Sequence, residues 1–185
     1  MSKVSIIVPT INEAGNIDDL LSRIVALMDE ISYDLEVLIV DDGSTDGTRE
    51  HVLKWQEKYP VRLIARDGDR GVAKSVIVGA RSATGDILVV MDADLSHPPE
   101  VIPDLAKPLM EGTCDIAIAS RYVKGGSTPG WPLYRRLASF IATAIARIFV
   151  DVRDPMSGFF AVRPQLLRSL DPEKACFKVC MESLI

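Results

Sequence analysis

The sequence predicts an open, doubly wound α/β sheet, and three observations support this prediction. Short runs rich in β-branched residues alternate with segments of helical period, which is the pattern of βαβ units. The runs are almost continuously apolar, as in strands that are covered on both faces. At 185 residues, with 48% hydrophobic and 25% charged residues, the chain suits one well-packed domain. Because crossovers between parallel strands are right-handed, helices are expected on both faces of a mostly parallel sheet.

Five apolar runs define the expected strands of the first part of the chain. They lie at residues 4–8, 37–40, 61–64, 87–90 and 116–119. Between the first four runs, apolar residues recur at helical spacing over residues 17–28, 52–59 and 76–83. We interpret these stripes as the crossover helices.

The pattern changes after about residue 120. A loop rich in glycine and proline at 125–130 precedes a long amphipathic segment at 132–150, which we expect to be a helix opened by Pro132. A further strand is predicted at 157–162, and a last helix is expected to begin within 176–185. We therefore predict one domain over residues 1–185, with two halves at about 1–120 and about 121–185.

Charge and cysteine content exclude several classes of protein. The net charge of −5 argues against a domain that binds nucleic acid along its whole surface. Three cysteines without a C-x-x-C pair and two histidines offer neither a disulfide framework nor a zinc cluster, as expected in the cytoplasm. Apolar stretches are too short to span a bilayer. The 132–150 segment either packs in the core or contacts a membrane surface, because it is preceded and opened by aromatic and arginine residues typical of lipid headgroup regions.

Paired acidic residues follow two of the predicted strands. Asp41 and Asp42 come after the second strand, and Asp92 and Asp94 come after the fourth. Ligands of open α/β sheets bind beyond the carboxyl ends of the strands, so these four carboxylates are expected around one rim. Like charges so placed repel unless a cation or a ligand compensates them. The alternative for Asp94 is to cap the turn that follows it.

The donor atoms of Asp92 and Asp94 indicate which ligand would compensate their charge. Carboxylate oxygens favour a hard divalent ion, Mg²⁺ or Mn²⁺, which also accepts oxygens from a substrate phosphate. We therefore predict a divalent cation and a diphosphate at this rim. We interpret His97, which is followed by two prolines, as a structural loop residue rather than a metal ligand.

The segment 41–47 also has the composition of a turn that starts a helix, with Ser44 or Asp46 as the capping residue. Paired acids before Gly43 are more than capping requires. We therefore expect this segment to serve both as a helix start and as part of the rim.

Five motifs in consistent order give the chain a resemblance to a known family. They are Val8-Pro9-Thr10 with Asn12-Glu13, VDDGSTDGT at 40–48, MDADLSHPPE at 91–100, SRYV at 120–123 with GGS at 125–127, and DPMSGFF at 154–160. Together they resemble the family 2 glycosyltransferases of the GT-A fold. Within that family the chain is most similar to the polyprenol-phosphate, or dolichol-phosphate, mannosyltransferases, because the last three motifs are particular to that branch.

The resemblance implies a reaction, a donor and an acceptor. It implies that a hexose, most simply mannose from GDP-mannose, moves to a polyprenyl or dolichyl monophosphate at the cytoplasmic face of a membrane. The nucleotide sugar would occupy the 1–120 half and the acceptor the 121–185 half. A lipid phosphate is already anionic near neutral pH, so its attack on the sugar C1 needs no strong general base. One direct displacement inverts the anomeric carbon.

The resemblance also implies roles for residues of the first half. Six residues are implied to bind the nucleotide sugar: Pro9, Thr10, Asn12, Glu13, Asp41 and Asp42. Asp92 and Asp94 are implied to be catalytic and to hold Mg²⁺ or Mn²⁺. Ser96 takes the place of the glutamine that the family often has as third metal ligand, and its hydroxyl is a shorter ligand.

The acceptor phosphate is implied to bind in the second half. Arg121 matches a catalytic position that holds this phosphate, together with Arg135 and Ser139. Arg135 and Ser139 are four residues apart, so they share one face of a helix.

Two alternatives to this function are open. One is a family 2 enzyme that uses UDP-glucose or another UDP-sugar. The other is a catalytically incomplete fragment that binds nucleotide sugars, because the resembled enzymes continue past the position of Ile185 and we interpret the C-terminus as truncated.

Overall fold

A six-stranded sheet forms the centre of the chain in a computed structural model, which describes residues 2–68, 70–120, 154, 157–172 and 180. Its strands are β1 (Lys3–Thr10), β2 (Asp34–Asp41), β3 (Val61–Ala65), β4 (Ile87–Val90), β5 (Ile116–Ile118) and β6 (Phe160–Val162). The helices are α1 (Ile17–Leu27), α2 (Thr48–Gln56), α3 (Val72–Ser82), α4 (Ile102–Met110) and α5 (Pro164–Arg168), with a 3₁₀ turn at Pro99–Val101.

The strand order is β3-β2-β1-β4-β6-β5, and it confirms the predicted α/β sheet. β1 pairs in parallel with both β2 and β4, β2 pairs in parallel with β3, and β6 runs antiparallel to β4 and β5. The chain moves outward from β1 to β3 and then returns to place β4 on the other side of β1. This reversal leaves a crevice at the carboxyl ends of β1 and β4, where α/β sheets bind ligands.

Alternate residues of the strands supply two hydrophobic clusters, one on each face of the sheet. Ile6 and Val8 of β1 pack with α1 and α4, whereas Ile7 between them packs with α3 and α5. Successive side chains of a strand point to opposite faces, so a sheet with helices on both faces needs apolar residues at every position. This explains the continuous apolar runs of the sequence.

Helix α4 is the main element that the sequence analysis did not predict. Pro103 and Pro108 conceal it, because proline inside a helix removes a hydrogen bond and usually marks a loop. Pro103 lies in the first turn, where the missing N–H costs nothing. The buried residues of α4 still follow helical spacing: Ile102, Leu105, Ala106 and Leu109.

Helix α5 and the 3₁₀ turn were not predicted either, whereas the other described elements agree with the expected ones except in their limits. The helix expected to begin within 176–185 lies, apart from residue 180, outside the described residues. Helix α3 begins at Val72, before the predicted stripe, and β6 is confined to Phe160–Val162 within the predicted 157–162. The expected loop at 125–130 and helix at 132–150 lie outside the described residues. Among the helices that are described, none is both long and apolar enough to cross a membrane.

A buried carboxylate, Glu36 of β2, binds β1 and the loop before β4 at the end of the sheet opposite the crevice. Its Oε1 accepts hydrogen bonds from Ser5 Oγ and from the backbone N–H of Thr84, both at 2.6 Å. Its Oε2 lies 3.1 Å from Lys3 Nζ. Burial alone would raise the pKa of Glu36, but the hydrogen bonds from Ser5, Thr84 and Lys3 outweigh it and lower the pKa to about 2.

We predict that ionised Glu36 stabilises the fold by roughly 3 kcal/mol, because its pKa falls from 4.5 in the unfolded chain to about 2. A lowered pKa gives stability that is present above the unfolded value and is lost as the pH falls towards the folded one. Urea unfolding of wild type and Glu36→Gln should therefore show a large stability difference at pH 7 that narrows to about half at pH 3.

The matched control is Glu30→Gln, which changes an exposed glutamate and should leave the stability unchanged at both pH values. If the free energies of unfolding of wild type and Glu36→Gln differ by the same amount at pH 7 and at pH 3, ionised Glu36 does not stabilise the fold.

Candidate functional site

A cleft opens at the carboxyl ends of β1, β2 and β4. Three segments line it: the residues that end β1 and follow it, the residue after β2, and the loop after β4. The first turn of α3 closes one side with Val72 and Ser75. Six residues singled out in the sequence line this cleft: Pro9, Thr10, Glu13, Asp42, Asp92 and Asp94. The structure thus brings together acids that are separated by about 50 residues in the chain.

Asp42 presents a fixed, buried carboxylate to the cleft. Its Oδ1 accepts a hydrogen bond from Arg66 Nη1 at 2.8 Å, and its Oδ2 accepts one from the backbone N–H of Gly71 at 2.7 Å. Arg66 Nη1 also donates to Ser75 Oγ at 2.8 Å. These contacts join the ends of β2 and β3 to the start of α3. A carboxylate has about four acceptor sites, so Asp42 retains acceptor capacity for a ligand.

Asp41 is fully buried and holds the turn that places Asp42. Its Oδ2 accepts the backbone N–H groups of Gly43 and Ser44 at 3.2 and 3.1 Å and also contacts Arg49 Nε. Burial would raise the pKa of Asp41, but the hydrogen bonds from Ser44 and Arg49 outweigh it and hold the pKa below its usual range. The carboxylate of Asp41 is therefore directed at this turn and Arg49, while Asp42 beside it lines the cleft.

The loop after β1 is bound to the turn after β2 through Asn12. The backbone N–H of Asn12 donates to Ser44 Oγ at 2.8 Å, and Asn12 Oδ1 accepts the N–H of Thr45 at 2.9 Å. Asn12 has a φ of 55°, in the left-handed region that asparagine tolerates better than most residues. Asp46 accepts the N–H of Thr48, the first residue of α2, at 3.1 Å. The N-cap residue of α2 is Gly47, so the prediction of Ser44 or Asp46 as the capping residue is wrong. Asp46 binds the first helical N–H from one position further back, and Ser44 binds the neighbouring loop.

The loop after β4 carries Asp92 and Asp94 into the cleft. Asp94 is exposed, and its Oδ1 accepts the backbone N–H of Ser96 at 3.0 Å. Partial desolvation of the Asp94 carboxylate opposes its ionisation, yet the hydrogen bonds from Ser96 lower its pKa below the usual value. Asp94 therefore caps its own turn and lines the cleft at the same time. Ser96 is exposed and contributes its N–H to this turn.

His97 lies beside Asp92, as the interpretation of a structural loop residue requires. Its Nδ1 accepts the backbone N–H of Asp92 at 3.0 Å, and its ring stacks on Phe159 with centroids 5.1 Å apart. Sequence reasoning did not single out these contacts, nor those of Arg66. The position of Arg66 directly after the third apolar run, at the same edge as the acids, is the signal that could have identified it.

The fit of a divalent cation to this cleft can be judged from its donor atoms. Over the residues that the structure describes, no group of three or more histidine, cysteine or acidic side chains is arranged to hold a metal. Asp92 and Asp94 offer two carboxylates on one wall. Mg²⁺ commonly binds one or two carboxylates and completes its shell with water and substrate phosphate. The two aspartates therefore fit a cation that binds together with a diphosphate.

The residues expected to hold an acceptor phosphate, Arg121, Arg135 and Ser139, lie outside the described part of the chain. The cleft described above therefore belongs to the 1–120 half, which the sequence analysis attributed to the nucleotide sugar.

Two curated relatives carry the same name and align over nearly the whole chain. A dolichol-phosphate mannosyltransferase of Pyrococcus furiosus is 46% identical over 187 residues, which cover 99% of this chain and 52% of that protein. A dolichol-phosphate mannosyltransferase of Saccharomyces cerevisiae is 39% identical over 186 residues, which cover 97% of this chain and 69% of that protein. The chain thus spans about half the length of the first relative.

Solved structures show the same fold at lower sequence identity. Glucosyl-3-phosphoglycerate synthase from Mycobacterium tuberculosis, crystallised with Mn²⁺, UDP-glucose and phosphoglyceric acid, has a TM-score of 0.69 and 22% identity. The match covers 91% of this chain and 59% of that one. The expected GT-A fold, with its mostly parallel sheet and helices on both faces, is confirmed.

The family profile described as glycosyl transferase family 2 matches residues 5–171, which is most of the chain. The motifs, the cleft at the reversal of strand order and the relatives agree with this match. The chain belongs to glycosyl transferase family 2.

Proposed function

We propose that this chain transfers mannose from GDP-mannose to a polyprenyl or dolichyl monophosphate with inversion at the sugar C1. The observation that carries the proposal is the meeting of Asp42, Asp92 and Asp94 in one cleft at the reversal of strand order. Relatives that are 39 and 46% identical and are named dolichol-phosphate mannosyltransferase support the choice of donor and acceptor.

The nucleoside part of the donor would bind at the ends of β1 and β2. Asp42 and Glu13 are acceptors for base or ribose donors, and both are oriented by other side chains. Asn16 Nδ2 donates to Glu13 Oε2 at 2.7 Å, as Arg66 does to Asp42 at 2.8 Å. Pro9 and Thr10 would form the floor. The contributions of Asn12 and Asp41 to nucleotide-sugar binding would then be indirect, through the two turns that they hold.

Asp92 and Asp94 would bind Mg²⁺ or Mn²⁺ together with oxygens of the diphosphate, with Ser96 as a third protein ligand. The divalent ion, when bound, would neutralise the charge that builds up on the departing nucleoside diphosphate. Asp92 and Asp94 would hold this ion, and through it they would orient the diphosphate for the displacement. Such alignment of two reactants is a major source of rate enhancement.

The displacement itself joins an oxygen of the lipid phosphate to C1 as the bond from C1 to the GDP oxygen breaks. The electron pair of that bond leaves with GDP, and an α-linked donor gives a β-linked product. Arg121, Arg135 and Ser139 would hold the lipid phosphate near the donor diphosphate against charge repulsion. The donor would thus bind within about residues 1–120 and the acceptor within about residues 121–185. The reaction would take place at the cytoplasmic face of a membrane, with the 132–150 segment in contact with it.

A second candidate is transfer from a UDP-sugar, because the M. tuberculosis structure with the same fold was solved with UDP-glucose. The bases differ in the donors and acceptors on their edges, whereas the diphosphate is common to both. A panel of GDP- and UDP-linked hexoses therefore separates the two candidates, and we expect product from GDP-mannose.

We predict that Asp94→Asn lowers transfer at least a hundredfold, because it weakens the proposed cation site that stabilises the leaving group. The measurement is incubation of labelled GDP-mannose and a short polyprenyl phosphate with Mg²⁺, and EDTA should abolish the labelled lipid. The matched control is Asp104→Asn, an exposed aspartate of α4, which should keep the wild-type rate.

Two outcomes would contradict the proposal in different ways. Labelled lipid that is formed equally by wild type and Asp94→Asn would overturn the metal assignment. GDP binding without any labelled lipid in wild type would identify a catalytically incomplete fragment.

We also predict that Asp42→Asn weakens GDP binding roughly tenfold to a hundredfold, because a charged acceptor of hydrogen bonds becomes neutral. Calorimetric titration with GDP in Mn²⁺ measures the change, and Asp34→Asn, at the exposed start of β2, is the control. Equal affinities of wild type and Asp42→Asn would remove Asp42 from the nucleotide site.

A further inference from the structure

One nitrogen of His97 lies close to both the backbone and the side chain of Asp92. Its Nδ1 accepts the backbone N–H of Asp92 at 3.0 Å, and the same nitrogen lies 3.7 Å from Asp92 Oδ2. The His97 side chain is only 12% exposed, whereas that of Asp92 is 48% exposed. Because Nδ1 accepts a backbone N–H, the neutral imidazole carries its proton on Nε2. His97 therefore acts here as an acceptor that fixes the backbone from which the Asp92 carboxylate projects.

The plane of the His97 ring is fixed by Phe159. The two rings stack with centroids 5.1 Å apart and an interplanar angle of 20°. Phe159 is buried, and its carbonyl oxygen accepts the N–H of Ala119 at 2.9 Å. Ser157 Oγ accepts the N–H of Phe159 at 3.2 Å and donates to the carbonyl of Ala119 at 2.9 Å. Phe159, on which the His97 ring stacks, is therefore held by hydrogen bonds between the end of β5 and the start of β6.

Gly158 lies close to both Asp92 and His97. β4 and β6 pair antiparallel with Val90 opposite Phe160, and continuing this register places Gly158 opposite Asp92. A Cβ atom at position 158 would lie 3.2 Å from Asp92 Oδ2 and 3.2 Å from His97 Cε1. Such distances are shorter than ordinary van der Waals contact, so a side chain here would push on the carboxylate or on the imidazole.

We propose that His97, Gly158 and Phe159 form a clamp that fixes the direction in which the Asp92 carboxylate enters the cleft. In this clamp His97 is a positioning residue for the divalent cation and the diphosphate, and it neither ligates the cation nor transfers a proton. The inference rests on the proposed metal role of Asp92. Partners that orient a metal ligand typically change metal affinity tenfold to a hundredfold when they are removed.

The clamp joins segments that are far apart in the chain. Its Asp92 side comes from the loop after β4, and its Gly158 and Phe159 side comes from the two residues directly before β6. The DPMSGFF motif thereby acquires a role that its distance from the acidic motif in sequence conceals.

The first test measures GDP binding to the full chain by calorimetry at increasing Mn²⁺ concentrations. His97→Ala and Gly158→Ala should each raise the half-saturating Mn²⁺ concentration about tenfold or more. His97→Asn should recover part of this loss, because its Oδ1 can accept the N–H of Asp92. The matched control is Gly15→Ala, since a Cβ there meets nothing within 4 Å. GDP affinity measured in EDTA should be the same in all variants.

The second test needs no metal. NMR on the metal-free protein measures the hydrogen-exchange rate of the Asp92 amide. This rate should be higher in His97→Ala than in wild type and lower again in His97→Asn. Thermal unfolding of each variant without metal shows whether the fold is retained.

The outcomes separate the clamp from the proposed function. Variants that keep the wild-type Mn²⁺ midpoint and the wild-type exchange rate of Asp92 would overturn the clamp. A wild-type protein whose GDP binding ignores Mn²⁺ would overturn the proposed metal role, and the exchange rates alone would then decide whether His97 fixes Asp92.

Discussion

The parallel pairing of β1 with both β2 and β4 determines where the site residues lie. Thr10 lies opposite Asp41, so β1 and β2 end at the same level of the sheet. β4, whose last residue Val90 lies opposite Ile7, ends three residues earlier at the same edge. Residues that follow these strands must therefore meet at one edge. The reversal of strand order at β1 keeps that edge open, because the crossovers on its two sides lead in opposite directions.

The carboxylates at this edge differ in how their charge is compensated. Asp41 is fully buried, and its own turn and Arg49 supply its donors. Asp42 is held by Arg66 and Gly71 and still lines the cleft. Asp92 and Asp94 are more exposed than Asp41. The difference in exposure between the buried Asp41 and the exposed acids separates the group that builds the turn from those that can meet a cationic ligand.

Much of this arrangement could be predicted because its signals are local. An apolar run shows that a strand is covered on both faces, and an acid placed directly after it must lie at the sheet edge. Helix α4 escaped prediction because Pro103 and Pro108 give a local signal for a loop, and packing of its apolar face overrides that signal. The motifs of the second half pointed to the family, but their acceptor residues cannot be placed from local patterns.

The fold class, the family and the sheet edge at which the acids meet could be inferred from the amino-acid sequence, because periodicity and the order of residues after each strand are properties of the chain. The tertiary structure decided which acid faces the cleft: Asp41 is directed at its own turn and Asp42 at the cleft, since neighbouring residues of an extended chain point to opposite sides. It also placed Gly158 and Phe159 against Asp92 and His97. Contacts between residues so distant in sequence depend on strand register, which only the packed sheet specifies.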